Sequence, residues 1–325
     1  MTPPLPVHVF LEVHMECNLR CVQCDIYRLR NPAGELTAEE RRGVVRQVAE
    51  WDPGIRIVLG GGEAFLRREM LYAVADAAHE HGVYVTVSTN GTLVRESDVE
   101  RLPTSGIRCV VVSIDSDLAE VHDRIRRVTG TFERAVRAVR ALVAARDRST
   151  SDFSVLTSTI LGAHNLDRVP EMVAFLEGLG VSTTLFQPLQ PAFARAVATR
   201  WWEQDPMFPR DGGQVERGID SLLDLRSRGH RIFQTEAQVQ DIRTYFRSPG
   251  HLPLGQCASA EKHLMVDMLG NVRLCFNMER IGLRPVANVR ERGLREIWED
   301  RTVEAARARM RACHEGCGSM LCHAR

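Results

Sequence analysis

Apolar and polar positions along this chain follow two rhythms that alternate. Short apolar runs, read as strands, occur at 8–13, 55–59, 83–88, 107–114, 153–161 and 181–187. Between them lie longer stretches whose apolar residues recur three and four apart, the spacing of an amphipathic helix. Helices are predicted over 38–50, 67–80, 96–102, 118–125, 132–146 and 166–179. Met70, Leu71, Val74 and Ala78 make one such stripe. Thr37, with Glu40 after it, forms a capping-box signature at the first helix start. Alternation of this kind implies βαβ units, a parallel sheet and right-handed crossovers. Six repeats are too few for a closed eight-stranded barrel. The expected α/β fold is an open, curved partial (β/α)6 barrel, with its ligand at the C-terminal strand ends.

The pattern changes at Pro188. Pro188, Pro191, Pro206 and Pro209, with Trp201-Trp202, mark an irregular loop. Helices are predicted at 215–228 and 236–246, and Ser248-Pro249-Gly250 leads into a cysteine-rich tail. Three regions are therefore expected: a barrel core over 1–190, a connecting loop and helices over 191–250, and a tail domain over 251–325. Within the tail, 264–267 and 271–274 read as a hairpin about Met268-Leu269-Gly270, and 295–311 as one helix. A hairpin draws its flanking cysteines together.

The polar motifs fall where the strands end. Cys17-Asn18-Leu19-Arg20-Cys21-Val22-Gln23-Cys24 follows the first strand. Three thiols so close suit zinc or an iron–sulfur cluster. With no fourth cysteine nearby, one metal position would stay open, as in catalytic sites. A structural zinc knuckle borrowing a distant ligand is the alternative. Gly60-Gly61-Gly62-Glu63 ends the second strand, where glycines permit close backbone approach to a ligand. Ser88-Thr89-Asn90-Gly91 ends the third strand and Ser113-Ile114-Asp115 the fourth. Strand alternation turns Cys109, Val111, Ser113 and Asp115 to one face, the barrel interior. Cys109 reads as a small buried thiol toward the barrel bottom, rather than a hydrogen donor to a radical.

Composition narrows the function classes. Lys+Arg and Asp+Glu each number 42 in 325 residues, which argues against a strongly basic nucleic-acid surface. A local basic patch stays open, since Arg126-Arg127 and 307–311 are Arg-rich. No apolar stretch reaches the roughly 18 residues that cross a bilayer. The N-terminus lacks a signal-peptide pattern. A cytoplasmic location is expected, where structural disulfides are disfavoured. The nine cysteines gather at the two ends, with Cys109 alone between, which points to two metal sites.

The Cys17, Cys21, Cys24 spacing resembles the radical S-adenosylmethionine (SAM) enzymes, and the later motifs occur in that family's order. The resemblance implies that these three cysteines hold a 4Fe–4S cluster whose fourth iron is chelated by SAM. It implies that Gly61, Gly62 and Glu63 bind the SAM amino group, although Ala64 replaces the usual Pro. Asn90, Ser113 and Asp115 resemble the ribose- and carboxylate-facing positions. Arg126 resembles an Arg that meets the cofactor carboxylate, and Gln23 would offer its backbone carbonyl to adenine. The tail, with Cys257, Cys275, Cys313, Cys317 and Cys322, resembles a SPASM/twitch extension holding one auxiliary 4Fe–4S cluster. Cys317 is the expected fourth ligand and Cys322 the alternative; a zinc ribbon is the competing reading. The implied chemistry is reductive cleavage of SAM to a 5′-deoxyadenosyl radical, fed by a flavodoxin- or ferredoxin-like electron donor. The expected substrate is a small polar molecule (a sugar, aminocyclitol or nucleoside-type precursor), undergoing oxidation, epimerisation, dehydration or decarboxylation. A peptide maturase is the first alternative, weighed down by the lack of room for a leader-binding domain. A non-catalytic zinc-binding protein is the second. The 188–211 loop, with Trp201, Trp202 and Arg210, reads either as a substrate lid or as a packed surface loop.

Overall fold

The computed structural model describes residues 3–29, 32–191, 200–250, 257–313 and 317–319. Strand β1 (His8–His14) is followed by α1 (Ala38–Trp51), β2 (Arg56–Gly61), α2 (Arg68–His81) and β3 (Val85–Thr89). Then come α3 (Glu96–Arg101), β4 (Ile107–Ser113), α4 (Ala119–Arg126), α5 (Thr131–Arg148), β5 (Ser154–Leu161), α6 (Val169–Gly178) and β6 (Thr183–Pro188). Each predicted strand and helix of the repeat is present, with ends displaced by at most three residues. The predicted capping box at Thr37 and Glu40 forms and fixes the start of α1. Six parallel strands run in the order β6-β5-β4-β3-β2-β1, an open α/β sheet. On β1, Val9, Leu11 and Val13 are buried in the core beneath the helices. The alternate residues, Phe10 and Glu12, take the opposite, interior face.

Helices α7 (Gly212–Ser227) and α8 (Glu236–Arg247) cover a second apolar cluster near β6, built on Phe186, Ile219, Ile242 and Tyr245. The tail contributes α9 (Ser259–Lys262), β7 (His263–Val266), β8 (Asn271–Arg273), β9 (Ala287–Asn288), α10 (Leu294–Glu299) and α11 (Arg301–Arg311). The hairpin forms as predicted, with β7 antiparallel to β8. The sequence does not predict where it docks. β7 pairs in parallel with β1, His8 opposite His263 through Leu11 opposite Val266, and extends the sheet to nine strands. The expected single helix over 295–311 is two. Asp300 adopts an extended conformation and caps α11 through Thr302 N–H, so the first helix ends at Glu299. Trp298 then packs edge-on against Trp51 of α1 and donates to the Pro4 carbonyl, tying the tail to the barrel's outer helices.

Candidate functional site

The cysteine loop is anchored where β1 ends. His14 Nδ1 accepts from Glu16 N–H at 3.0 Å, so its Nε2 carries the proton and donates to the Glu63 carbonyl at 2.8 Å. Gly62 N–H donates to the His14 carbonyl and Glu63 N–H to the Glu16 carbonyl, at 2.7 and 2.8 Å. The glycines make this possible. Gly61 has φ +110°, and a Cβ there would meet the His14 carbonyl oxygen at 2.3 Å; one at Gly62 would meet the Glu16 oxygen at 1.8 Å. The close approach expected at these glycines is thus, in the first place, to the chain's own backbone. Buried Arg41 holds the same corner by donating to the Val13 carbonyl at 2.7 Å. Neither His14 nor Arg41 stands out in the sequence. Their signal is positional: a polar residue closing an apolar strand, and an Arg inside a helix's buried stripe.

One cavity is lined by Cys17, Cys21, Cys24, Gly61, Gly62, Glu63, Asn90, Ser113 and Arg126, among others. The predicted residues of four strand ends therefore meet at a single place. The three thiols stand on its wall, near enough that Cys17 would feel charge on Cys21 and Cys24. Burial pushes the Cys17 thiol up to about 11 and raises Cys21 and Cys24 as well. As thiolates they call for cationic partners. Among the described residues, no three His, Cys, Asp or Glu side chains converge on a point sized for one ion. Three thiols on the wall of one cavity are a ligand set that an iron–sulfur cluster takes.

Glu63 is almost fully buried, and burial raises its pKa. Its carboxylate accepts from Thr89 Oγ1 at 2.6 Å, Asn90 N–H at 2.7 Å and Phe65 N–H at 3.1 Å. A carboxylate has about four acceptor positions, so room for one further donor remains. The Asn90 side chain braces the loop, donating to Asn18 Oδ1 at 2.9 Å and accepting from Thr92 N–H. Ser113 ends β4 on the cavity wall. Asp115 lies past the strand end and is fully buried. Its carboxylate pairs with Arg126 at 2.8 Å and accepts from Gln23 Nε2 and Ile160 N–H. Burial opposes ionisation of Asp115, but Arg126 and the neighbouring histidines outweigh it and hold the pKa low. Arg126 reaches in the other direction to Cys21 Sγ at 3.8 Å. Gln23, half-buried, with buried Asp115 and Arg126, thus forms one cross-tie beside the thiols.

In the tail, Cys257, Cys275, Cys313 and Cys317 come together. Cys257 and Cys275 each feel both Cys313 and Cys317, and burial pushes Cys275 up to about 12. Asn277 bridges two of them, its N–H to Cys275 Sγ at 3.2 Å and its side chain to Cys317 Sγ at 3.5 Å. No sequence signal singled Asn277 out. Cys322 lies outside the described residues. Cys109 is buried on β4, apart from both thiol groups, and bonds toward Ser154 and Thr86. Of the 188–211 loop, Trp201 packs edge-on to Phe208 at 5.5 Å, and both tryptophans lie against the α7–α8 core; 192–199 lie outside the described residues.

Residues 11–176 match the Radical SAM superfamily, and 257–322 match SPASM, an iron–sulfur cluster-binding domain. The chain belongs to the radical SAM superfamily. Its cofactors are SAM, a 4Fe–4S cluster and an auxiliary iron–sulfur cluster. An AdoMet-dependent heme synthase of Methanosarcina barkeri (strain Fusaro / DSM 804) is 28% identical over 305 residues, 90% of this chain and 82% of that protein. The mycofactocin maturase MftC of Mycobacterium ulcerans (strain Agy99) is 26% identical over 271 residues, 83% of this chain and 68% of the relative. Among solved structures, Streptococcus suis SuiB bound to S-adenosylmethionine aligns with a TM-score of 0.74 at 14% identity, covering 96% of this chain and 73% of SuiB. Native anSMEcpe with bound AdoMet aligns at 0.69 and 18%, covering 92% and 82%. These two show the shared fold. No described helix is long and apolar enough to cross a membrane.

Proposed function

We propose that this radical SAM enzyme is a maturase that abstracts a hydrogen atom from an apolar residue of a peptide. In this reading Cys17, Cys21 and Cys24 hold the 4Fe–4S cluster, and Cys257, Cys275, Cys313 and Cys317 hold the auxiliary cluster. When bound, the cluster and SAM supply a 5′-deoxyadenosyl radical by one-electron cleavage. Glu63 offers its remaining acceptor position to the SAM ammonium, beside the Gly61 and Gly62 backbone. Gln23 and Ser113 border the adjoining space, which Ser158 and Gln187 also line. Asp115 and Arg126 hold the cysteine loop at a fixed depth, so that the cofactor meets the same wall at each turnover.

The observation that carries the substrate class is an aromatic wall. Phe276 follows Cys275 and is 42% exposed, with its ring 4.9 Å from Phe10 on the interior face of β1. The adjoining cavity has a mixed lining, with polar Ser113, Ser158 and Gln187 beside apolar Ile160, Leu189 and Pro191. An apolar side chain on a hydrogen-bonding backbone matches both walls. The similarity to MftC, a maturase, supports this reading. So does the fold shared with SuiB, which has been solved bound to its precursor peptide SuiA. The small polar substrate expected from the sequence draws less support from these relatives. A second reading, a porphyrin-type substrate, is favoured by the heme synthase match and by the ladder His8–His263–Phe10–Phe276, with neighbouring rings 4.9–5.4 Å apart.

The test is anaerobic turnover of the reconstituted protein with SAM and reductant. Short peptides from neighbouring reading frames, and separately a propionate-bearing porphyrin, serve as substrates. 5′-Deoxyadenosine formed in step with a mass change on a peptide is the expected result, with Phe276→Ala raising KM and leaving iron content unchanged. Coupling to the porphyrin alone would transfer the conclusion to the second reading.

A further inference from the structure

The amide two residues past a cysteine donates to its sulfur in both thiol groups. Leu19 N–H reaches Cys17 Sγ at 3.4 Å, Asn277 N–H reaches Cys275 Sγ at 3.2 Å and Ser319 N–H reaches Cys317 Sγ at 3.5 Å. These backbone donors are alike at the two sites. The side-chain donors are not. Around the Cys17 loop, Arg126 Nη1 stands 3.8 Å from Cys21 Sγ and Asn90 Nδ2 stands 4.0 Å from Cys17 Sγ. Each has a closer partner, Asp115 for Arg126 at 2.8 Å and Asn18 for Asn90 at 2.9 Å. In the tail, Asn277 Nδ2 lies 3.5 Å from Cys317 Sγ, a contact that joins positions 40 apart in the chain.

Two observations point to the sulfur as the purpose of this side chain. Asn277 directly precedes the helical turn Met278–Ile281, where an asparagine commonly caps the N–H groups that follow it. It makes no such cap here and turns to Cys317 instead. It also serves two sulfurs at once, Cys275 through its backbone and Cys317 through its side chain, and all three residues are half-buried. Phe276, between Cys275 and Asn277, meets Phe10 at 4.9 Å, so the same short turn carries the aromatic wall.

A sulfur that ligates a metal is a thiolate and has no proton to give. The Asn277 amide therefore meets it with its N–H groups, as donor. A donor at a ligand sulfur favours the more negative, reduced state of a cluster, and such bonds are among the levers that set iron–sulfur potentials. Partial burial gives the bond more weight than it has in water. We infer that Asn277 sets the reduction potential of the auxiliary cluster, raising it through the side-chain N–H donated to Cys317. The inference rests on the proposed role of Cys275 and Cys317 as ligands of that cluster. The step it governs is the gain of one electron; no bond or proton moves.

The experiment reads the midpoint potential of the tail cluster by electron paramagnetic resonance at poised potentials, together with iron per chain. It uses the full reconstituted chain at about pH 8, where carboxylates are ionised. A full chain carrying Cys17→Ala, Cys21→Ala and Cys24→Ala identifies which signal belongs to the tail. Neither readout requires turnover. Asn277→Leu keeps the side-chain shape and removes the donor. Asn277→Asp keeps the shape and places a negative charge beside the sulfur. With about four tail irons retained, Asn277→Leu should shift the one-electron equilibrium about tenfold toward the oxidised form, a midpoint lower by ~59 mV. Asn277→Asp should lower it further. An unchanged midpoint in Asn277→Leu, or a midpoint in Asn277→Asp at or above that of Asn277→Leu, overturns the tuning role. Loss of the tail iron in Asn277→Leu makes the contact a structural tie and overturns it too. A wild type without a tail cluster overturns the ligand assignment itself, and the iron count separates that failure from the others.

Discussion

Gly62→Ala should unseat the cysteine loop while sparing the sheet. A Cβ at this position would lie 1.8 Å from the Glu16 carbonyl oxygen. Carbon–oxygen contacts settle at about 3.3 Å or more, so the backbone must separate by roughly 1.5 Å. That movement breaks the Glu63-to-Glu16 and Gly62-to-His14 backbone bonds. Each buried group left unpaired costs about 1–3 kcal/mol, or about 2–6 kcal/mol for the corner. A domain of ordinary stability, about 5–15 kcal/mol, tolerates that if the strain goes into the loop. The control is Gly60→Ala, where a Cβ meets nothing within 4 Å. After anaerobic reconstitution the wild type and Gly60→Ala should carry about eight irons, and Gly62→Ala about four, all in the tail. Full iron in Gly62→Ala, with an unchanged melting temperature, would refute the claim that these glycines are required by the chain's own backbone.

Asp98 accepts from Arg68, from Arg95 N–H and from Tyr72 Oη beneath α2 and α3. Burial pushes its pKa up, but these donors outweigh it and hold the pKa below the usual carboxylate range. Its stabilisation is therefore present above about pH 4 and is lost as pH falls through the lower folded value. Asp98→Asn should cost about 3 kcal/mol at pH 7, and urea midpoints should show the gap to wild type narrowing below pH 4; a constant gap would refute the charge argument. Cys317→Ala should remove about four irons and leave deoxyadenosine formation measurable, whereas Cys109→Ala should leave iron content untouched. Iron loss in Cys109→Ala would mean that its separation from both thiol groups is misjudged.

The repeat was legible because each of its elements buries one face against the next layer. Period-two runs such as Val9, Leu11 and Val13 and helical stripes such as Leu71, Val74 and Ala78 state that burial directly. The thiol triplet, the glycines and Glu63 were legible as short motifs at strand ends. What those side chains touch was not. Asn90, Asp115 and Arg126 were expected to face a cofactor, yet their polar atoms are largely engaged within the chain, bracing the loop. Sequence spacing gives which residues gather but not which donor reaches which acceptor, because that depends on loop paths of a few ångströms. The break at Asp300 was missed for a similar reason: a helical stripe can run through a cap, since both helices pack on the same core.

The pairing of β7 with β1 connects the two cysteine groups mechanically. β1 delivers the chain to Cys17 at its C-terminal end. β7 runs alongside in register, and β8 returns antiparallel, Met265 opposite Arg273, so that Cys275 emerges toward the end where β7 begins. Cys257 precedes that same end, just before α9 and β7. Cys257 and Cys275 therefore lie toward the end of this strand pair opposite Cys17, while Ser319, next to Cys317, bonds to Gln190 just past β6. At about 3.3 Å per residue, the seven residues of β1 span roughly 20 Å. The interior face between those ends carries Phe10, with Phe276 packed on it. On the proposed reading, a substrate held there has the cavity of the Cys17 loop on one side and Cys275 on the other. A strand slip of one residue would turn Phe10 and Glu12 into the core and Val9 and Leu11 into the lumen. The hydrophobic alternation of β1 thus fixes the barrel wall, the aromatic face of Phe10 and Phe276 and the placing of Cys17 relative to Cys275 through a single register.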